Sequence, residues 1–184
     1  MGHCVQLIIG KGLGVEALLR AWPQARAVEM RGGWMAVPAT VELLGEMAGV
    51  AGGLESVLVE VTRGGGSLAY VETEYFGGTG DQSAMVFANG REVMDIERTR
   101  GPGAINAALK KIGVLREAGQ DEFDTVGLGE RRSMEDYEPG AARHMRFGRA
   151  SEPKPAPKSG LPLWLVTIVI CAAVAGGVWA AMSN

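Results

Sequence analysis

Cysteine is nearly missing from this chain: Cys4 lies in an apolar segment near the start and Cys171 inside a long apolar stretch near the end. Two such positions offer no disulfide framework, so the head is compatible with a reducing compartment. Histidine is as scarce, with only His3 and His144. His3 adjoins Cys4 without a second ligand pair at metal-site spacing, which argues against zinc, and both histidines read as surface or strand-end residues. No Ser/His/Asp or Cys/His set is available in the head, and enzyme chemistry is unsupported. A dense basic face is lacking too. Residues 1–130 carry eleven Lys/Arg against seventeen Asp/Glu. That acidic balance, with no basic stripe interleaved with aromatics, excludes a protein built to coat nucleic acid.

Charge disappears altogether from Leu161 to Met182, "LPLWLVTIVICAAVAGGVWAAM". As a helix at about 1.5 Å per residue it would reach roughly 33 Å, enough to cross a bilayer. Trp164 and Trp179 stand near its ends, where indoles favour the interface. Arg143, Arg146, Arg149, Lys154 and Lys158 precede the stretch and no basic residue follows it. The expectation is a single-pass tail anchor over residues 161–182 with the preceding domain in the cytoplasm. "MGHCVQLIIGKG" lacks the basic start and apolar length of a secretory signal, and has no Ser or Thr at its sixth position for myristoylation. Ala172 with Gly176, and Ala173 with Gly177, place small residues at four-residue spacing, a face that would permit a homodimer through the span.

Before the tail, the periodicity predicts an α+β domain over residues 1–130: a mainly antiparallel sheet covered by helices. "HCVQLII" reads as a buried strand. Val15, Leu18, Leu19 and Trp22 then follow at helical spacing until Pro23. "RGG" between "ARAVEM" and "WMAVPA" signals a hairpin, and Thr40 can cap a helix bearing Val41, Leu44 and Met47. "LESVLVEVTRGGG" is ambiguous between helix and strand, and reads better as helix. "SLAYVETEYF" alternates, with Tyr70, Glu72, Glu74 and Phe76 on one face and Val71, Thr73 and Tyr75 on the other. Asn89-Gly90 between apolar runs is a strong hairpin signal, so three antiparallel strands are expected in succession. Pro102 suits a first helical turn, Ile105, Leu109 and Ile112 form a stripe, and Gly113 can end that helix. Residues 131–160 lose the core pattern; seven Lys/Arg against four Asp/Glu and "EPKPAPKSG" predict a basic, Pro-rich linker.

Three segments invite chemistry. "GKGLG", at Gly10–Gly14, follows a strand and precedes a helix, where free N–H groups can hold phosphate. Val15 occupies the third glycine position of a dinucleotide fingerprint, and the hairpin that follows is not a parallel βαβ unit. Turn glycines are the better account, and a nucleotide- or phosphate-binding enzyme is the alternative reading. "GQDEFDTVGLG" gathers acids around Phe123 without the ligand spacing of a calcium loop, so the reading is a polar cluster with Phe123 tucked against the sheet. Glu72 and Glu74 read as solvated charges. "YFGGTGDQ", residues 75–82, is the third segment. A wide turn accounts for its glycines but not for two adjacent aromatics. Tyr75, Phe76, Gly77, Gly78, Gly80, Asp81 and Gln82 are therefore the candidate partner-binding residues.

"YVETEYFGGTGDQSAMVF", "GAINAALKKIGV" and "DEFDTVGLGERR" together resemble a group of small uncharacterised bacterial proteins. That group carries an aromatic-Gly-Gly-x-Gly-x-Gln strand-loop-strand and a closing Asp-Glu-Phe-Asp segment. The resemblance spans about residues 67–132, is loosely similar to small α+β immunity proteins, and implies a bacterial source without any catalytic assignment. The resulting expectation is an inner-membrane, protein-binding module with a basic protein as partner, acting as an immunity-like inhibitor or assembly factor, with no cofactor and no metal. A head that merely spaces a functional membrane span is the remaining alternative.

Overall fold

The computed structural model describes residues 2–76, 79–101 and 103–138. Six strands, β1 (His3–Gly10), β2 (Val28–Glu29), β3 (Met35–Pro38), β4 (Ser67–Phe76), β5 (Thr79–Ala88) and β6 (Arg91–Arg100), form one sheet in the order β2-β3-β1-β4-β5-β6. Every neighbouring pair is antiparallel. The parallel crossover that a dinucleotide-binding unit requires is therefore absent from the described sheet.

Helices cover both faces. On one face α1 (Leu13–Ala21), α2 (Val41–Ala48) and α3 (Gly53–Thr62) bury Leu18, Met47 and Leu58 against Ile8, Val37, Leu68 and Phe87 of the sheet. On the other, α4 (Ala104–Lys111) sets Ile105 and Leu109 against Leu7, Ile9, Val71 and Val86, joined by Val126 and Leu128 beyond the short α5 (Glu122–Thr125). β1 is thus apolar on both sides, which explains its unbroken "LII" where a one-sided strand would alternate.

Local chemistry accounts for most boundaries. Thr40 accepts a hydrogen bond from Leu43 N at 3.2 Å and caps α2. The ambiguous segment is α3: Val57, Leu58 and Val61 are buried at helical spacing, and packing overrides the strand preference of valine. Asn89 and Gly90 both have positive φ, 52° and 76°, in a two-residue turn closed by Ala88 opposite Arg91.

Two expectations need correction. The β4–β5 connection is tight, since pairing continues to Phe76 opposite Thr79 and leaves two residues between them. Gly80 permits this: a Cβ there would collide with Glu74 O and fall 2.6 Å from Tyr75 Cα on the facing strand. The packed domain also runs past residue 130. Cys4 N donates to Arg132 O at 2.8 Å, Ser133 bridges to Cys4 in parallel, and a 3₁₀ turn at Met134–Tyr137 brings Tyr137 into the core with 1% of its surface exposed. A single aromatic in a polar stretch has no periodicity to betray it. Among the described residues no helix is long and apolar enough to cross a membrane; the remaining linker, 139–160, and the expected span, 161–182, lie outside them.

Tyr137→Ala should lower the unfolding free energy by about 3–5 kcal/mol, as truncation of a buried aromatic does. Tyr137→Phe should cost nothing, because the Tyr137 hydroxyl is buried without a partner among the described residues. Urea unfolding of the full chain in detergent, followed by near-ultraviolet circular dichroism, separates the two. Silence of both variants would return residues 131–138 to a linker.

Candidate functional site

The pleat of β4 and β5 sorts the candidate residues of "YFGGTGDQ" onto opposite faces. Glu74 faces Asp81 and Phe76 faces Thr79 across one side of the ladder, whereas Thr73 faces Gln82 and Tyr75 faces Gly80 across the other. Phe76 and Asp81 therefore share one surface, and Tyr75 and Gln82 belong to another. Gly77 and Gly78 lie outside the described residues. Phe76 is 88% exposed, the most exposed large apolar side chain of the described part.

On the Phe76 side the sheet extends beyond the helices as an open polar groove of about 430 Å³. Its register aligns Cys4, Glu74, Asp81 and Arg100 in one row and Gln6, Glu72, Ser83 and Arg98 in the next. Glu72 is half-buried and accepts from Gln6 Nε2 at 2.9 Å and Ser83 Oγ at 3.2 Å. It is tied into the sheet rather than simply solvated. Glu74 and Asp81 are directly opposed like charges with no ion pair among the described residues, an arrangement that costs stability. The exposed Cys4 thiol is pushed up by partial desolvation and then by Glu74 and Glu72, which makes it a poor nucleophile.

On the opposite side lies a cleft of about 400 Å³ between the strands and the α4–α5 region. His3, at the start of β1, lines it. Its Nδ1 is 2.6 Å from Thr73 Oγ1, its Nε2 3.2 Å from Leu128 O, and its ring stands 5.3 Å from that of Phe123 at 53°. These contacts fit a neutral imidazole donating from Nε2 and accepting at Nδ1. Burial lowers the His3 pKa, opposed by the Leu128 carbonyl and aided by the Arg132 charge. Gln82, 6% exposed, turns its Oε1 to Gly103 N at 3.1 Å and Ile105 N at 3.4 Å, fastening the start of α4 to β5. Asn106 and Asp121 complete a second tie: Asn106 Nδ2 donates to Asp121 Oδ2 at 2.9 Å, and Asn106 Oδ1 accepts from Phe123 N at 2.8 Å. Tyr75 lines the same cleft. Its hydroxyl is buried without a partner among the described residues, and desolvation, followed by Asp81, raises its pKa.

Lys11 does not stand free over the "GKGLG" turn. Its Nζ donates to Gly32 O at 2.9 Å and lies 5.8 Å from the Trp34 ring centroid. Gly10 and Gly14 have a packing reason, since a Cβ on either would crowd Ser67 O, at 2.9 and 3.2 Å. Phe123 packs against the sheet, its ring beside that of His3 in β1. Among the described residues no group of three or more His, Cys, Asp or Glu could hold a metal ion. The cleft residues His3, Thr73, Asn106 and Arg132 had no spacing signal, because they come from four distant segments. Alternation extended from β4 into β5 would have separated Phe76 from Gln82. No protein-family model, curated protein or solved structure matches the chain.

The lowered His3 pKa makes the unfolded chain the better proton acceptor below the ordinary histidine value of 6.5. Its contribution to stability is complete above that value and is lost as pH falls from there through the lower folded value. Urea midpoints should therefore drop between pH 7.5 and 5.5 more steeply for the native chain than for His3→Asn. Equal slopes would show that His3 titrates alike in both states.

Proposed function

We propose that this chain is a single-pass, membrane-anchored protein-binding module, held by residues 161–182 with its folded head in the cytoplasm of a bacterial cell. The β4–β5 tip is its contact surface, and inhibition of a partner in the manner of immunity proteins, or assistance to its assembly, is the role. The observation that carries this reading is Phe76: an aromatic ring 88% exposed at the end of a ten-residue strand that is otherwise paired throughout on the β5 side. Exposed aromatics of this kind are the anchors of protein interfaces. The directly opposed carboxylates of Glu74 and Asp81 lie on the same face, and an Arg or Lys from a basic partner would relieve their repulsion. Asp81 thus joins Phe76 in the contact, while Gln82 supports it from behind through α4.

The phosphate reading at Lys11–Gly14 loses its strongest feature to the Gly32 carbonyl and the Trp34 ring.

The test is capture of partners by the full-length protein from its native membrane in mild detergent, comparing the parent chain with Phe76→Ala and Asp81→Asn. Both positions are exposed, so both variants should keep the fold; the melting temperature should stay unchanged with Phe76→Ala and rise slightly with Asp81→Asn, which removes the charge opposed to Glu74. A partner held by the parent should lose at least about tenfold in affinity with Phe76→Ala, and its retention should weaken further as salt rises. A partner retained equally by both variants would move the contact away from the tip and toward the span.

A further inference from the structure

The cleft on the Tyr75 side is separate from the proposed protein contact, and besides the buried Tyr75 hydroxyl two of its polar groups have no partner among the described residues. Gln82 is almost wholly buried, and its amide orientation is set because Oε1 accepts from both Gly103 N and Ile105 N. Its Nε2 consequently presents two donors, for which the described residues supply no partner, and the side chain lines the cleft. An amide nitrogen held this way beside a cavity is a donor awaiting an acceptor.

The second group is Asp124 at the rim. Its backbone N–H donates to Asp121 Oδ1 and its carbonyl accepts from Arg31, but its carboxylate receives no hydrogen bond from the described residues. Both oxygens of neighbouring Asp121 are occupied, by Asp124 N and Asn106 Nδ2. The same lining holds an aromatic pair, the His3 and Phe123 rings at 53° to one another. The lining carries two carboxylates, Asp121 and Asp124, to one guanidinium, Arg132, a balance that disfavours an anion.

From donor, acceptor, aromatic wall and charge together, the geometry points to a binding site for a small, flat, uncharged heteroaromatic amide. Its carbonyl would take the Gln82 amide donor, its N–H the Asp124 carboxylate, and its ring would lie against Phe123 and His3. Nucleobases and nicotinamide belong to this class. A cleft of about 400 Å³ has room for one such ring with a sugar or similar appendage. The site does not depend on the protein contact at Phe76, which projects from the other face.

The test uses the full-length chain in detergent micelles, labelled with ¹⁵N in the imidazoles of His3 and His144, its two histidines. Uridine, inosine and nicotinamide are the probes, added to about 10 mM. Benzoate, an anionic ring without an N–H donor, and cyclohexanecarboxamide, an amide without a flat ring, are the comparisons. At least one probe should shift the His3 signals saturably, leave those of His144 in place, and bind at least about tenfold more tightly than either comparison. Gln82→Glu keeps an oxygen for the start of α4 and removes the donor; Asp124→Asn removes the carboxylate. Each should weaken the probe by about tenfold while the unliganded His3 signals stay where they were. If one variant disturbs those signals, the other still decides. Absence of any saturable shift, equal binding of benzoate, or affinity untouched by the undisturbed variant would each overturn the assignment.

Discussion

The antiparallel register of β1 with β4, eight residue pairs from His3 opposite Tyr75 to Gly10 opposite Leu68, governs the placement of nearly everything else. β1 is buried on both sides: Leu7 and Ile9 belong to the α4 layer, Ile8 to the layer of α1, α2 and α3. Successive strand residues point in opposite directions, so a slip of one position would exchange the two layers along the whole strand. Gly10 holds the same register from its end, where any side chain would strike Ser67 O and Leu68. Packing on both faces thus leaves β1 one solution, and β4 inherits it.

The far end of that ladder is where the helices stop and the surfaces begin. Past the buried Tyr70 on one face come the half-buried Glu72 and the exposed Glu74 and Phe76, and the partner strand answers with Ser83, Asp81 and Thr79. On the other face Thr73 and Tyr75 enter the cleft beside Gln82. One tight hairpin therefore supplies a projecting, charged surface to one side and a recess to the other. A side chain at position 80 would force the strands apart and dissolve both.

Polar groups do the fastening around the recess. Gln82 holds the start of α4, Asn106 holds Asp121 and the start of α5, and His3 joins Thr73 of β4 to the carbonyl of Leu128. Each bond links segments far apart in the chain, so the recess exists only once the tertiary fold has formed. The opposed carboxylates Glu74 and Asp81 behave oppositely. Their repulsion opposes folding, with Arg100 of the next strand opposite Asp81 in the same row.

Elements with a local cause were legible from the residues alone. Thr40 capping α2, the Asn89-Gly90 turn, the stripe of α4 and the alternation of β4 each depend on neighbours within a few positions. The α+β class followed from them, and the charge-free apolar character of 161–182 is plain from composition. What required the tertiary structure was whatever depends on distant segments meeting. The strand order puts β1 between β3 and β4, so His3 meets Thr73 and Leu128. The pleat divides "YFGGTGDQ" between two faces, so the Phe76 and Gln82 side chains leave the sheet on opposite sides. Tyr137 enters the core from a segment that Ser133 and Arg132 fasten to Cys4, with no periodic signal to announce it. Local sequence sets backbone preference over a few residues; which face a side chain occupies, and which distant partner it finds, is decided only when two helical layers close on one sheet.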